Sequence, residues 1–370
     1  MPRVLVITPD YPPAHGGIQT LMGKLAELLP VPALELVTLN APGADVYDAG
    51  RPVAVLRVRA GSGARRIRIA ALSARALERA TWRRPDVALL GHVAVAPVGA
   101  LLRGLGIPTV TYAHAEEFRV SPRRTAFGMR HTDAVIAISR HTERMARAVG
   151  AAADRVHLIH HGVDPPPVGT GPPRRDPEPP TVLTVARMQD PHKGHDVMLQ
   201  AMSLVRRRLP DARWVVLGDG PLRPRYEDLA RRLGVDGAVS FMGAVGDGER
   251  DAWLRRAHVF AMPTRLPDGN RGGEGFGIAY LEAAAYGLPV IAANAGGAVD
   301  AVDPGRTGLL IDPTDHTQVA DALVSLLAAP DKARVMGARG AEWATRFPWQ
   351  RTADQVAAVL EPVASHGVRR

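Results

Sequence analysis

Two glutamates, Glu274 and Glu282, lie eight positions apart in a segment with the chemistry of a ligand site. The residues between them read Gly-Phe-Gly-Ile-Ala-Tyr-Leu, and good helix formers follow Gly277, so a loop should lead into a helix here. The first N–H groups of a helix have no partner within it and favour an anion such as phosphate. We expect three amides to play this part, those of Phe276, Gly277 and Ile278.

The spacing of the two carboxylates suggests a ligand with two ends. Eight helical residues span about 12 Å, comparable to a diphosphate with a sugar ring at each end. One glutamate would accept hydroxyls from one sugar, the amides would hold the phosphates, and the other glutamate would accept hydroxyls from a ribose. The structural alternative is that Glu274 serves the helix dipole and Glu282 is a solvated surface residue.

The segment resembles the Glu-x7-Glu signature of retaining glycosyltransferases of family 4, which have the GT-B fold. Two further runs resemble the same family, Gly287 to Gly297 and Gly305 to Leu310. The resemblance implies an α/β protein of two Rossmann-like, doubly wound domains that face a cleft. It also implies a sugar nucleotide bound mainly by the C-terminal half and an acceptor bound by the N-terminal half.

Composition limits the class of protein. A chain of 370 residues is long for a single core, so two domains are expected. The chain has no cysteine, which excludes disulfides and thiolate metal sites. No signal peptide or run of about 18 apolar residues occurs, so we expect a cytoplasmic protein. The net charge of +9 comes almost entirely from arginine, without a nucleic-acid motif, so we expect no nucleic-acid partner.

Apolar runs alternate with helical stretches, which indicates parallel sheets built from βαβ units. We predict seven strands before a proline-rich linker at 165–180 and six after it: 4–8, 34–39, 53–58, 87–90, 109–112, 134–138 and 156–159, then 182–185, 214–217, 239–242, 259–262, 290–293 and 308–311. Residues 1–164 would be the acceptor-binding domain and 181–347 the domain that binds the sugar nucleotide. The resemblance implies that residues 348–370 form a helix returning to the first domain.

Two glycines and two cations are further candidates for donor contacts. Gly16 and Gly17 follow the first predicted strand and open a helix, where the backbone can approach a phosphate; a tight turn is the alternative. Arg187 and Lys193 at one strand end would neutralise a diphosphate leaving group. Their run resembles the family's Arg-x5-Lys-Gly motif, whose cations contact the donor diphosphate. Solvated surface cations are the alternative, and no metal is needed if these two carry the charge.

His114 follows the predicted strand 109–112. The family often has a histidine here that contacts the transferred sugar, followed by Gly or Asp, whereas this chain has Ala115. A structural histidine is the alternative. His160 and His161 occupy the Pro-Asn positions of a family run before the linker, and we interpret them as hinge structure.

The resemblance implies a retaining transferase that moves a hexose from a nucleoside-diphosphate sugar to a hydroxyl acceptor, a lipid, a glycan or a small natural product. Beyond the roles above, it implies Glu282 on ribose and Glu274 with the amides on the donor sugar. The leaving phosphate would take the acceptor proton. The insert 267–273 resembles mannosyltransferases acting on phosphatidylinositol, which favours GDP-mannose over a UDP-hexose. The sugar nucleotide is a co-substrate, and no cofactor is expected.

Two other functions remain open, a GT-B sugar-nucleotide epimerase and a non-catalytic partner subunit. The basic amphipathic segment 65–84 leaves a second question, because it fits either an ordinary surface helix or peripheral contact with the anionic inner face of a membrane.

Overall fold

The computed structural model describes residues 2–61, 63–167, 179–267 and 272–367. It forms two compact units, one of Met1–Gly162 with Trp349–Arg370 and one of Val163–Pro348. Most of the predicted linker and part of the glycine-rich insert, 168–178 and 268–271, lie outside the described residues.

The first unit is built on a parallel sheet of seven strands in the order β3-β2-β1-β4-β5-β6-β7. The strands are β1 (Arg3–Ile7), β2 (Ala33–Leu39), β3 (Ala54–Val58), β4 (Val87–Leu90), β5 (Thr109–Ala113), β6 (Ala134–Ala137) and β7 (Val156–Leu158). The helices described among these strands are α1 (Gly17–Leu28), α2 (Ala44–Asp48), α3 (Arg65–Arg83), α4 (Ala96–Gly104), α5 (Glu117–Val120), α6 (Pro122–Arg130) and α7 (Arg140–Ala148).

The second unit has a parallel sheet of six strands in the order β10-β9-β8-β11-β12-β13. These are β8 (Thr181–Val185), β9 (Arg213–Leu217), β10 (Val239–Gly243), β11 (Val259–Met262), β12 (Val290–Ala293) and β13 (Gly308–Ile311). Its helices are α8 (His195–Arg208), α9 (Arg223–Arg232), α10 (Asp247–Arg256), α11 (Ile278–Ala285), α12 (Ala298–Ala301), α13 (His316–Leu327) and α14 (Pro330–Ala344). All thirteen predicted strands are confirmed. Runs such as Val259–Met262 are buried throughout, as continuous apolar strands of a parallel sheet should be.

The two sheets have the same pattern of strand order, which determines where a ligand can bind. In each, the first and fourth strands of the unit are neighbours, β1 with β4 and β8 with β11. Successive strands are added outwards on either side of this pair. Ligands of such sheets bind at the carboxyl ends of the strands, where the strand order reverses. The loops after β1, β4, β8 and β11 are therefore placed to form sites.

The last helix, α15 (Trp349–Gly367), belongs to the first unit. It packs against α1 and against β4, β5 and β6. The Thr352 hydroxyl donates to the His160 carbonyl oxygen at 3.0 Å, and the His161 ring stacks on Trp349 with centroids 6.3 Å apart. Both histidines thus connect the end of the first sheet to the returning helix.

The basic segment forms the regular helix α3. Ile69, Leu72, Ala76 and Ala80 are buried along one face, which is the periodicity of an amphipathic surface helix. None of the helices in the described part of the chain combines the length and the apolar composition that a membrane span requires.

Candidate active site

Lys193 and Glu274 are brought into direct contact by the pairing of two strands. Lys193 lies on the loop after β8 and Glu274 on the loop after β11, and these strands are neighbours in the sheet. The Lys193 ammonium donates from Nζ to Glu274 Oε2 at 2.8 Å. The sequence identified each residue separately, and their contact is a finding of the structure.

The Lys193 ammonium keeps Glu274 ionised. Burial alone would raise the pKa of Glu274, but the charge and hydrogen bond of Lys193 lower it, and the net pKa lies below its ordinary value. The Gly277 N–H acts in the same direction. One of the three amides expected at an anion therefore faces a carboxylate of the protein itself.

The helix that follows Glu274 starts later than the spacing estimate assumed. Gly277 is its N-cap at a φ of 91°, and α11 begins at Ile278. Between Glu274 and Glu282, only the residues from Ile278 onwards are helical. The estimate of about 12 Å between the two glutamates, which counted all eight residues at helical rise, is therefore wrong. Phe276 is buried before the cap, and its ring lies 6.0 Å from that of Phe347.

A glycine on a neighbouring loop holds the Glu274 segment in place. The Gly297 N–H donates to the Glu274 carbonyl oxygen at 2.9 Å. A Cβ added at Gly297 would lie 2.0 Å from the Gly275 carbonyl oxygen, so only glycine allows this approach. The sequence reading included Gly297 in a family-like run but assigned it no role. The signal available was the pair of glycines shortly after a buried strand.

Glu282 has a looser partner and the opposite electrostatic environment. Arg250 Nη1 lies 3.9 Å from Glu282 Oε1. Burial raises the pKa of Glu282; Arg250 opposes the shift, and Asp164, Asp247 and Asp251 add to it. The sequence reading missed Arg250, which lies in α10 outside any recognised motif.

Arg187 lies two residues beyond the end of β8 and is exposed. It forms no ion pair with another residue in the described part of the chain. Its guanidinium is thus available to a ligand, unlike the Lys193 ammonium, which already contacts Glu274.

In the first unit, Gly16 and Gly17 occupy the start of α1, directly after the loop from β1. Gly16 is the N-cap of the helix. A Cβ added at Gly17 would meet no protein atom within 4 Å. The space beside Gly17 is therefore open, as a backbone that approaches a ligand requires.

His114 is buried after β5 in a fixed tautomer. Its Nε2 lies 2.9 Å from the Gly91 carbonyl oxygen, which can only accept, so Nε2 carries the proton. Nδ1 is then a buried acceptor without a hydrogen-bond partner among the described residues. Burial lowers the pKa of His114 to about 4, so the ring is neutral at pH 7. Its ring stacks on that of Tyr112 with centroids 5.8 Å apart.

Glu117 and His92 complete a buried polar cluster with His114. The His114 backbone N–H donates to Glu117 Oε1 at 2.9 Å, and His92 Nε2 lies 3.9 Å from Glu117 Oε2. Burial raises the pKa of Glu117 well above its ordinary value and lowers that of His92 to about 4. The sequence reading assigned neither residue a role, although Glu117 stands three positions after His114.

The candidate residues thus divide between the two units. Arg187, Lys193, Glu274 and Glu282 lie in the second unit with the start of α11, and Gly16, Gly17 and His114 lie in the first. Nowhere in residues 2–61, 63–167, 179–267 and 272–367 do three or more His, Asp or Glu side chains form a group that could hold a metal ion.

Solved structures with the same architecture define the class of protein. Sucrose-phosphate synthase from Thermosynechococcus elongatus has a TM-score of 0.82 at 22% identity over 98% of this chain and 99% of its own. Anabaena Alr3699/HepE in complex with UDP-glucose has a TM-score of 0.82 at 20% identity over 98% of this chain and all of its own. The chain therefore has the GT-B fold, with two Rossmann-like units.

Sequence comparison gives the family. The family model described as Glycosyltransferase Family 4 matches residues 4–166, and the model described as Glycosyl transferases group 1 matches residues 179–329. A Mycobacterium tuberculosis GDP-mannose-dependent alpha-(1-6)-phosphatidylinositol monomannoside mannosyltransferase is 35% identical over 97% of this chain and 98% of its own. The Mycolicibacterium smegmatis protein of the same description is 32% identical over 96% and 98%. The chain belongs to family 4 of the glycosyltransferases.

Proposed function

We propose that this protein is a retaining mannosyltransferase that uses GDP-mannose and an inositol-phospholipid mannoside as acceptor. The structural observation that supports this proposal is the contact between Lys193 and Glu274. It places a cation beside a carboxylate where the strand order of the second sheet reverses. Relatives that match this chain from end to end, and that are described as GDP-mannose-dependent, support the donor and the acceptor. A UDP-hexose is the alternative donor.

Each of the four charged candidate residues in the second unit has a role in binding the donor. An ammonium has three N–H donors, so Lys193 can keep its bond to Glu274 and still offer two to diphosphate oxygens. Arg187 supplies a second, exposed cation. Glu274 and the amides of Phe276 and Ile278 face the donor sugar, while the Gly277 N–H is directed at Glu274. Glu282 accepts the ribose hydroxyls.

The first unit supplies neutral groups for hydroxyls. His114 contacts the transferred sugar through Nδ1, and the backbone at Gly16 and Gly17 contacts phosphate. Residues 1–164 would bind the acceptor, 165–180 would be the linker, 181–347 would bind the donor, and 348–370 would complete the first domain.

The proposed reaction retains the configuration of the sugar. The bond from the sugar C1 to the leaving phosphate breaks, and the acceptor oxygen bonds to C1 on the same face. The acceptor proton passes to the leaving phosphate oxygen. Two cations held at the diphosphate stabilise the charge that develops there, which is where preorganised charges accelerate a reaction most.

The class of the relatives supports a transferase over a sugar-nucleotide epimerase. The presence of Arg187, Lys193 and Glu274 supports a catalytic chain over a non-catalytic partner subunit.

A thermal-shift series with GDP, UDP, ADP and dTDP, and with the matching sugar nucleotides, tests the donor. A ligand at about 100 times its Kd stabilises a protein by roughly 2.7 kcal/mol, which is easily measured. We expect the largest shift with GDP and GDP-mannose; no shift with any of the eight ligands would refute the function.

We also propose that α3 contacts the anionic inner face of the cell membrane. Trp82 and Ile67 on this helix are 75% and 63% exposed. The guanidinium carbons of Arg79 and Arg83 lie 5.2 and 5.1 Å from the centre of the Trp82 ring. Exposed apolar side chains among arginines fit a surface of anionic lipid.

Sedimentation with vesicles tests this contact. Wild-type protein should bind phosphatidylglycerol vesicles and not phosphatidylcholine vesicles, and Trp82→Ser should weaken the binding several-fold. Leu105→Ser is the control, since Leu105 is 55% exposed at the end of α4. Equal binding by both variants would contradict a role for α3.

A further inference from the structure

Arg265 lies on the loop after β11 and contacts the turn that carries Lys193. Its guanidinium donates from Nη2 to the Pro191 carbonyl oxygen at 2.7 Å, and its backbone N–H donates to the His192 carbonyl oxygen at 2.7 Å. Lys193 is the last residue of the three-residue 3₁₀ turn that begins at Pro191. One arginine therefore holds the other two residues of the Lys193 turn.

The same guanidinium also holds the start of the helix that follows. Arg265 Nη1 and Nη2 donate to Asp196 Oδ2 and Oδ1 at 3.0 and 2.8 Å. Asp196 is the second residue of α8. Such a two-bond pair between guanidinium and carboxylate fixes direction as well as distance. The Lys193 turn is thus anchored to the β11 loop on both of its sides.

The backbones of the two loops are also in contact. Gly194 has a φ of 78°, and a Cβ there would lie 2.1 Å from the Pro263 carbonyl oxygen. Pro263 stands two residues before Arg265 on the loop that leads to Glu274. The Lys193 turn therefore packs against this loop too closely for any side chain at position 194.

We propose that Arg265 is a positioning residue for Lys193. It sets the Lys193 ammonium at Glu274 and presents it to the donor diphosphate, and to that extent the inference rests on the proposed function. Both N–H groups of Nη2 and one of Nη1 are used within the protein. Arg265 thus acts through Lys193 and not by binding the donor.

Two measurements test the proposal, one of them without a ligand. In protein with ¹³C-labelled glutamate side chains, an NMR titration follows the pKa of Glu274, assigned with Glu274→Gln. Arg265→Ala should raise this pKa, because burial would no longer be opposed by a well-placed ammonium. Calorimetry should show GDP binding, or binding of whichever nucleoside diphosphate the wild type prefers, weakened about tenfold.

A double variant separates positioning from direct contact. If Arg265 acts only through Lys193, the variant with both residues changed to Ala should bind GDP as weakly as Lys193→Ala alone. Losses that multiply would show that Arg265 touches the donor and would overturn the proposal. An unchanged Glu274 pKa in Arg265→Ala would overturn it as well.

The controls use other ion pairs of the same unit. Arg208→Ala removes the surface pair of Arg208 with Asp321, whose atoms lie 2.6 Å apart, and should change neither measurement. If Arg265→Ala does not fold, Asp196→Asn should move both readouts in the same direction by less, and no movement would count against the proposal. If the wild type binds no nucleoside diphosphate, the proposed function fails, while the Glu274 titration still decides the role of Arg265.

Discussion

The two units prepare polar groups in opposite ways at the corresponding edges of their sheets. In the second unit, Lys193 and Glu274 are both charged and hold each other at 2.8 Å. In the first, His92 and His114 are buried and neutral, and Glu117 is buried with a pKa raised well above its ordinary value. Among the described residues, no ion pair at hydrogen-bond distance fixes these three. Backbone contacts fix them, including the bond from the His114 N–H to Glu117. An ion pair suits the proposed contact with a charged diphosphate, and buried neutral histidines suit the proposed contact with hydroxyls.

Removing the cation of the charged pair should have the largest effect. Lys193→Ala takes away the charge proposed to meet the diphosphate and leaves Glu274 buried without its partner. We expect kcat to fall by about 10²- to 10³-fold, the usual loss for one preorganised group at developing charge. A mannosyl-transfer assay measures this. Lys332→Ala, on the exposed face of α14, is the matched control, and near-normal transfer by Lys193→Ala would refute the assignment.

Displacing the loop of the charged pair should have the next largest effect. Gly297→Ala forces the segment from Glu274 to Gly275 to move, and displacements of about 1 Å at a site can cost about 10²-fold. We therefore expect kcat/KM to fall by about that factor, while far-UV circular dichroism stays unchanged. Gly237→Ala, where a Cβ would meet nothing within 4 Å, should be neutral. Full activity in Gly297→Ala would mean that the loop need not be fixed.

Acid should distinguish the buried polar cluster of the first unit from the charged pair of the second. The pKa of His114 falls from 6.5 to about 4 on folding, so the unfolded chain gains its proton first as the pH falls. Stability is thus lost between about pH 6.5 and 4, by about 2 kcal/mol from this residue by pH 5. The free energy of unfolding can be measured in urea at pH 7.5 and pH 5. Its difference between the two pH values should be smaller in His114→Asn than in the wild type by about 2 kcal/mol.

The carboxyl groups sharpen this test through their signs. Glu274 has a lowered pKa, so its contribution is present above its ordinary pKa of 4.5 and lost below it. Glu117 has a raised pKa, so its contribution grows as the pH falls towards 4.5. Glu117→Gln should therefore steepen the loss of stability on acidification. A slope unchanged in both His114→Asn and Glu117→Gln would contradict the lowered pKa of His114 and the raised pKa of Glu117.

The smallest effect is expected at the loosely paired carboxylate. If Glu282 accepts the ribose hydroxyls as proposed, Glu282→Gln weakens one charge-assisted hydrogen bond by about 1.5 kcal/mol and should raise the donor KM roughly tenfold with little change in kcat. Glu249→Gln, on the exposed surface of α10, is the control. A fall in kcat with an unchanged KM would place Glu282 at the reacting centre and not at the ribose.

The sequence predicted the strands because their signal is local. A short run such as Val87–Leu90 is apolar on both faces and buried throughout, so pattern alone identifies it. Lys193 and Glu274 could be named one at a time from their motifs. Their contact could not, because the two residues are 81 positions apart and meet only through the adjacency of β8 and β11.

Other parts of the site had no readable signal. Arg265 is one of many arginines in this chain, and nothing in its neighbourhood marks the partner 69 positions away at Asp196. The tautomer of His114 depends on the Gly91 carbonyl oxygen, a backbone atom that sequence does not locate. The start of α11 depended on which of two glycines takes the positive φ, a choice made by packing.

The return of α15 to the first unit has a consequence for synthesis. The second unit, Val163–Pro348, is continuous in the chain, whereas the first needs residues from both ends. The Val163 N–H donates to the Phe347 carbonyl oxygen at 2.8 Å, so the entry and exit of the second unit are tied together. On the ribosome, the unit that begins first is thus completed last. Until α15 emerges, the surfaces of α1, β4, β5 and β6 that it covers stay open, and chaperones have their longest access there.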